Sequence, residues 1–172
     1  ITISGGEPFM YPYLLDVLEE KNDMVFQIYT NGTFFDEKVV QRMAKMGNVF
    51  PAISIEGFEE RTDARRGKGI FKKVLHNIDL LRQWKVPFGF SVTVTRENVD
   101  EVSSEEFVDF MDKKGAFLCW YFMYVPIGRD PNFEIMLTPE QRKEFFEKIS
   151  YYRSVKPIVL ADFWNDGEAV SG

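Results

Sequence analysis

The sequence alternates between short apolar runs of strand length and longer amphipathic segments with helical spacing. Leu14, Leu15 and Leu18 lie at such spacing and predict a helix over 11–20. The same pattern predicts helices over 36–46 and 71–84, one after Ser103 or Ser104, and one over 138–152, whereas the apolar runs predict strands at 1–3, 25–29, 49–55, 88–94 and 117–125. Regular alternation of strand and helix is typical of a parallel sheet with right-handed crossovers. The predicted fold class is α/β, either an open doubly wound sheet or a barrel.

Two segments are assigned by their composition. Residues 57–69 mix charges without an apolar stripe and are predicted to form an exposed strand-to-helix loop. Residues 155–161 are predicted to be a short extended piece. Thr138, followed three residues later by Gln141, has the spacing of a capping box at the start of the last helix.

Length and charge exclude several classes of protein. The 172 residues suit one domain, and the formal net charge of −6 argues against a nucleic-acid partner. No apolar run approaches the ~20 residues that a membrane helix needs. The single cysteine, Cys119, rules out an internal disulfide and fits a cytoplasmic location. The chain opens without Met inside an apolar strand, so we expect a piece of a longer protein.

The first strand runs into Ser4-Gly5-Gly6-Glu7-Pro8, at the strand end where ligands bind in parallel α/β folds. Gly5 and Gly6 can adopt positive φ and present bare N–H and C=O groups. The Glu7 carboxylate follows at once. This combination suits a small charged ligand, such as the α-amino group of an amino-acid-like cofactor, although an ordinary tight turn has the same composition.

Further polar residues follow the third strand. Ser54 and Glu56 alternate with apolar neighbours and share one face. They suit the adjacent hydroxyls of a ribose, or Glu56 reaches solvent. Arg65 and Arg66 stand in the next segment, where a guanidinium can bind a carboxylate through two hydrogen bonds or can simply be solvated.

The side chains of the later predicted strands indicate a function less specifically. Asn98 could cap the next turn or contact a ligand, and the cap is the favoured prediction. Cys119 lies among bulky apolar residues and is expected to be inert, and with the single His76 it forms neither a zinc site nor a Cys/His pair. One face of the fourth strand carries the hydroxyls of Ser91, Thr93 and Thr95, which suit a polar cavity or ordinary strand packing. One face of the fifth strand carries Trp120, Phe122 and Tyr124, which suit contact with a purine or packing in the core.

Taken together, these motifs resemble the radical S-adenosylmethionine (SAM) enzymes, most of all the SPASM-containing peptide maturases and sulfatase-maturing enzymes. The resemblance lies in Ile-Thr-Ile-Ser-Gly-Gly-Glu-Pro at 1–8, Tyr-Thr-Asn-Gly-Thr at 29–33, Ser-Ile-Glu-Gly at 54–57, and Asp63, Arg66 and Gly67. Four motifs occur in the family's order, each following a predicted strand.

The resemblance implies an α/β fold in which residues 1–155 form most of a partial (β/α)6 barrel. The chain would supply the second to the sixth strand of that barrel. Residues 156–172 would bridge toward a SPASM-like domain outside this sequence. In the family, corresponding positions bind the methionyl amine, the ribose, the carboxylate and the adenine of SAM. In this sequence the resemblance assigns Gly5, Gly6 and Glu7 to the amine, and Ser54 and Glu56 to the ribose. It assigns Arg66 to the carboxylate, and the end of the barrel's sixth strand, near Ile127, to the adenine.

The implied chemistry is reductive cleavage of SAM at a 4Fe–4S cluster. It yields a 5′-deoxyadenosyl radical, which abstracts hydrogen from a peptide, a protein or a small molecule, with flavodoxin or ferredoxin as electron donor. The chain departs from the family pattern at Glu56, usually Asp, and at Thr62, often His. It also lacks the Cys-x3-Cys-x2-Cys loop that ligates the cluster. We expect that loop before Ile1 and expect these 172 residues alone to be inactive.

Two other functions fit the same residues. One is a non-redox α/β-barrel lyase or hydrolase that uses Glu7, Glu56 and Arg66 at strand ends. The other is a module that binds SAM or another nucleotide without chemistry.

Overall fold

The computed structural model describes residues 1–128 and 130–166 and contains one six-stranded parallel sheet. Each strand pairs with the next in chain order. The strands are β1 (Thr2–Ile3), β2 (Phe26–Thr30), β3 (Val49–Ile55), β4 (Gly89–Val94), β5 (Leu118–Met123) and β6 (Val159–Asp162). The helices are α1 (Leu14–Glu20), α2 (Glu37–Met46), α3 (Glu59–Arg66), α4 (Ile70–Gln83), α5 (Val99–Val102), α6 (Glu105–Lys113) and α7 (Pro139–Val155).

The sheet curls into a partial barrel. Tyr29 of β2 and Phe122 of β5 have ring centroids 5.7 Å apart although β3 and β4 lie between their strands. Three strand spacings in a flat sheet would separate their backbones by about 14 Å. Contact across that interval requires strong curvature, which distinguishes a partial barrel from an open doubly wound sheet.

The two faces of the sheet differ in composition. The outer face carries the apolar core packed beneath the helices, with side chains such as Ile28, Ile53, Phe90 and Tyr121. The inner face carries the alternate residues, which include polar and aromatic side chains such as Ser54, Ser91 and Phe122. Because the side-chain period in a strand is 2, these residues project into the concave side of the barrel.

Several helix boundaries agree with the capping signals in the sequence. The carboxylate of Asp36 accepts a hydrogen bond from Val39 N, and the Ser104 hydroxyl accepts one from Phe107 N. Thr138 and Gln141 form the predicted capping box. α2 ends at Gly47 in the left-handed conformation.

The structure corrects the assignment of the charged segment 57–69. It contains α3, whose first turn holds Glu59 and Glu60 and whose last turn holds Arg65 and Arg66. Charges so placed favour a helix through its macrodipole. Because α3 has little apolar surface, hydrophobic periodicity does not detect it.

Other corrections concern element ends. α1 begins at Leu14 rather than 11, because a 3₁₀ turn, Pro8–Met10, precedes it. β5 ends at Met123 rather than 125. Part of the predicted extended piece forms β6, a sixth strand beside β5. The bridging role of 156–172 stays a prediction, and residues 167–172 lie outside the described residues. No helix of the described ranges is long and apolar enough to cross a membrane.

Candidate functional site

The end of β1 presents bare backbone beside a fixed carboxylate. Gly5 (φ +96°) and Gly6 (φ +54°) are exposed, and a Cβ on either would meet no atom within 4 Å. Glu7 Oε1 accepts hydrogen bonds from Thr30 Oγ1 (2.6 Å) and Phe9 N (3.2 Å), and Oε2 accepts one from Asn31 N (2.7 Å). Glu7 therefore fastens the end of β1 to the end of β2, next to the open glycine bend.

The turn after β2 is itself rigid. Gly32 has φ +70°, and a Cβ there would lie 2.7 Å from Ile53 Cγ2, so glycine is required at this position. The buried Asn77 of α4 donates from Nδ2 to the Gly32 carbonyl at 2.7 Å. Thr30 Oγ1 accepts a hydrogen bond from Gly32 N at 3.1 Å. Thr30 and Asn77 were not predicted from the sequence as site residues. The Thr-Asn-Gly motif at the end of β2 is a signal that could have identified Thr30.

A buried ion pair stands at the end of β3. The Glu56 side chain is 3% exposed, and its Oε2 accepts a hydrogen bond from Arg65 Nη1 at 2.8 Å. Its Oε1 accepts from Arg66 Nε at 3.0 Å and also from Arg66 Nη2. Arg66 is the more enclosed arginine, 24% exposed against 49% for Arg65. The prediction that Glu56 could simply reach solvent is wrong, because two guanidinium groups cover it.

α3 is fastened to the strand end so that both arginines face Glu56. The buried Thr62 hydroxyl accepts a hydrogen bond from Glu56 N at 3.1 Å and donates to the Gly57 carbonyl at 2.9 Å. The Asp63 carboxylate accepts hydrogen bonds from Phe71 N (2.8 Å) and Gly69 N (2.6 Å). The hydrogen bond from Phe71 N has the largest effect, followed by the one from Gly69 N, and together they hold the pKa of the Asp63 carboxyl below its ordinary value.

Asn98 links the ends of β3 and β4. Its Nδ2 donates to the carbonyls of Glu56 and Thr93, both at 2.9 Å. Its Oδ1 accepts hydrogen bonds from Thr95 N (2.7 Å) and Thr95 Oγ1 (3.2 Å). These four bonds use the full capacity of the amide. Asn98 is the N-cap residue of α5, the position predicted for it, but its side chain bonds to the two strand ends and makes no capping bond to the helix.

A cavity of about 410 Å³ opens beside this network. Its volume lies in the range of small-molecule sites, roughly 300–1,000 Å³. Its wall includes Glu56, Thr95 and Asn98 from the ends of β3 and β4, and Arg61 and Arg65 from α3.

Residues 1–111 match the family model described as the radical SAM superfamily. The chain belongs to this superfamily. The matched residues include the glycine bend, the Glu7 cluster and the Glu56 ion pair.

Three relatives illustrate the range of the superfamily near this chain. An AdoMet-dependent heme synthase of Methanosarcina barkeri is 29% identical over 133 residues, 75% of this chain and 38% of the relative. The sporulation killing factor maturation protein SkfB of Bacillus subtilis is 27% identical over 154 residues, which are 83% of this chain and 37% of SkfB. A cysteine-type anaerobic sulfatase-maturating enzyme of Clostridium novyi is 27% identical over 161 residues, which are 84% of this chain and 42% of that enzyme. The chain thus spans about two fifths of the length of these relatives.

The fold has a solved counterpart. The structure described as native anSMEcpe with bound AdoMet and Kp18Cys peptide superposes with a TM-score of 0.75 over 99% of this chain and 52% of that one, at 16% identity. This likeness confirms the α/β class and the partial barrel of a radical SAM protein. The predicted resemblance to peptide- and sulfatase-maturing members is confirmed by the relatives.

The residues that the resemblance assigned to SAM occupy three places in this radical SAM fold. Gly5, Gly6 and Glu7 lie at the end of β1, Ser54 lies half-buried on the inner face of β3, and Ile127 is exposed beyond β5. Glu56 and Arg66, assigned to the ribose and the carboxylate, bond to each other. The individual binding roles stay predictions.

The described residues contain no group of three or more His, Cys, Asp or Glu side chains able to hold a metal ion. Cys119, the one cysteine in the sequence, is fully buried on β5, and burial raises the pKa of its thiol. An iron–sulfur cluster needs several thiolates. Its ligands would therefore have to come from outside these 172 residues.

Proposed function

We propose that this chain forms the SAM-binding part of a radical SAM enzyme that modifies a peptide or a protein. The observation that carries the proposal is the open bend at Gly5 and Gly6 beside the immobilised Glu7 carboxylate. Exposed backbone carbonyls and a carboxylate are the partners that an ammonium group requires. The bend would bind the methionyl amine of SAM, and the superfamily match supports this ligand.

The other end of the methionyl group would bind Arg66. Glu56 engages the Nε and Nη2 edge of that guanidinium. A guanidinium has five N–H groups, so the Nη1 side remains for the SAM carboxylate. Glu56 would then act by orienting Arg66, in addition to the ribose contact predicted for Glu56 and Ser54. Ile127 would border the adenine.

Bound SAM would receive one electron from an electron donor through a 4Fe–4S cluster, and its cleavage would give methionine and the 5′-deoxyadenosyl radical that abstracts hydrogen. This chain's part is to bind and orient SAM, because it lacks a ligand set for the cluster. A cluster loop before Ile1, an electron donor such as flavodoxin or ferredoxin, and a cytoplasmic location stay predictions. A peptide or protein substrate is supported by the named activities of SkfB and of the sulfatase-maturating relative.

A matched pair of glycine variants in the full-length protein tests the proposal. Gly6→Ala and Gly47→Ala both place a side chain at positive φ, +54° and +69°, with no atom within 4 Å of the new Cβ. Their backbone strain is therefore similar. We expect Gly6→Ala to weaken SAM binding at least tenfold in equilibrium dialysis and Gly47→Ala to leave it unchanged. Equal losses in both variants would contradict the proposal.

Cleavage is measured on the full-length protein after reconstitution with iron and sulfide. We expect 5′-deoxyadenosine from SAM under reduction. SAM binding without cleavage would indicate the binding module instead. An activity that is independent of iron and is lost in Glu56→Gln would indicate the lyase or hydrolase.

A further inference from the structure

A set of aromatic side chains forms a wall on the inner face of the barrel. We call Tyr29, Trp120, Phe122 and Phe163 the inner aromatic wall. Phe122 is the central member, with ring centroids 5.7 Å from Tyr29, 6.2 Å from Trp120 and 5.1 Å from Phe163. Tyr29, Trp120 and Phe122 are half-buried, and Phe163 is half-exposed. The wall is therefore neither sealed core nor isolated surface residues.

The strand positions around the wall carry no charge. The inward residues of β2 to β6, all described by the structure, are Gln27, Tyr29, Phe50, Ala52, Ser54, Gly89, Ser91, Thr93, Leu118, Trp120, Phe122, Val159 and Ala161. Burying a charged ligand group against such a surface would be costly, because no opposite charge compensates its desolvation. The surface favours an uncharged ligand group with a large apolar area.

Two buried hydrogen-bond donors on this face lack acceptors. Within the described residues, Gln27 Nε2 and Trp120 Nε1 make no hydrogen bond. A buried donor without a partner is destabilising, so native proteins usually satisfy it. An amide carbonyl of a bound ligand would supply the missing acceptor after small side-chain movements.

The wall is continuous with the proposed SAM site. Tyr29 directly precedes Thr30, whose hydroxyl donates to Glu7 Oε1 at 2.6 Å. The wall therefore begins at the strand end that holds the glycine bend. A group resting on Phe122 would lie inside the barrel, below the carboxyl ends of the strands where SAM would bind.

From these observations we propose that the inner aromatic wall binds a large uncharged side chain, aromatic or branched aliphatic, of a peptide substrate. The proposal rests on the proposed function, because the bound side chain is the one presented for modification. Amide carbonyls of the same peptide would accept hydrogen bonds from Trp120 Nε1 and Gln27 Nε2.

Binding of single-residue probes to the full-length protein tests this inference without requiring turnover. The probes are N-acetyl-leucinamide, N-acetyl-tyrosinamide, N-acetyl-lysinamide and N-acetyl-glutamic acid amide, followed by saturation-transfer NMR. We expect the leucine and tyrosine probes to bind at least tenfold more tightly than the two charged probes. Equal affinity for the charged probes, or tighter binding of a tetracarboxylic porphyrin, would overturn the inference.

Three variants locate the binding surface. Phe122→Ala is expected to weaken the leucine probe roughly tenfold, because it removes most of the apolar contact area. Trp120→Phe keeps the apolar area but removes the indole N–H, and a loss of several-fold is expected. Phe146→Ala, which truncates an exposed aromatic on α7, serves as the control and should bind the probe normally.

Phe122→Leu keeps the test valid if Phe122→Ala does not fold, because leucine preserves apolar volume and removes only the aromatic contacts. We expect it to weaken the tyrosine probe more than the leucine probe. An unchanged ratio would contradict the wall. If the full-length protein cleaves SAM while charged probes bind equally, only this inference fails. If SAM neither binds nor is cleaved, the proposed function fails whatever the probes do.

Discussion

Two glutamates stand at strand ends on the same edge of the barrel and are held in different ways. Glu7, after β1, accepts hydrogen bonds from a hydroxyl and two backbone N–H groups. Glu56, after β3, accepts hydrogen bonds from two guanidinium groups. Neutral donors orient Glu7 and leave its charge available to a cation. Arginines neutralise Glu56, so the net positive charge of that cluster is available to an anion.

This difference suits a zwitterionic ligand. The methionyl part of SAM carries an ammonium and a carboxylate on one carbon, and the two clusters offer one complementary charge for each. Ser-Ile-Glu-Gly and Gly-Gly-Glu-Pro both place a glutamate beside glycine in the sequence. The environment in the folded chain assigns opposite electrostatic roles to them.

The strongest way to break this contrast is to remove the enclosed arginine. Arg66→Met leaves the buried Glu56 carboxylate with Arg65 alone, and we expect a loss of about 3 kcal/mol in the free energy of unfolding by urea denaturation. Arg65→Met is the control, with a loss of about 1 kcal/mol because Arg65 is half-exposed. Similar losses in the two variants would show that burial does not distinguish the arginines.

Gly57, which follows Glu56, provides the next test. Gly57 has φ +138°, and a Cβ there would lie 2.0 Å from Glu101 Oε1, which accepts a hydrogen bond from Phe58 N. Gly57→Ala should cost about 2 kcal/mol, from strain and from the displaced carboxylate. Gly47→Ala, with strain but no neighbour, should cost about 1 kcal/mol. An equal cost in thermal or urea unfolding would rule out the clash.

A smaller effect is expected when the neutral partner of Glu7 is removed. Thr30→Val deletes the hydroxyl that donates to Glu7 and accepts from Gly32 N. The expected loss is about 1.5 kcal/mol in urea denaturation, the cost of leaving buried polar groups unpaired. Thr30→Ser retains the hydroxyl and should recover most of this loss. A stable Thr30→Val protein would mean that Glu7 is held by backbone donors alone.

The smallest effect at neutral pH concerns the inner face beside Glu7, where ionisation matters only in alkaline solution. Burial raises the pKa of the Tyr29 phenol to about 12, with a smaller opposing effect of the Gln27 side chain. The unfolded chain ionises this phenol near pH 10, so its contribution to stability is complete below about pH 10 and is lost as pH rises toward 12. Absorbance titration at the phenolate band should show one late-titrating group missing in Tyr29→Phe. A difference spectrum that titrates near pH 10 would show that Tyr29 is solvated.

Sequence patterns predicted the elements whose signals are local. Apolar runs located the strands, and the caps at Asp36, Ser104 and Thr138 act within three residues of the helix starts they mark. α3 escaped detection because its stability comes from end charges and from Thr62 and Asp63, which fasten it to the strand end and to the start of α4. Asn98 stands at the predicted N-cap position of α5, but the partners of its side chain could not be read from local spacing, because one of them, the Glu56 carbonyl, is brought to it only by the fold.

The sequence by itself determined the α/β alternation and the strand ends at which the site residues stand, because both rest on short-range spacing, and its motifs carried the resemblance to the superfamily. Only the tertiary structure decided that Glu56 pairs with Arg65 and Arg66, that Glu7 is tied to β2, and that Tyr29 meets Phe122 inside the barrel. These contacts depend on sheet curvature and helix placement. Both are set by packing between segments distant in the chain, which no local pattern records.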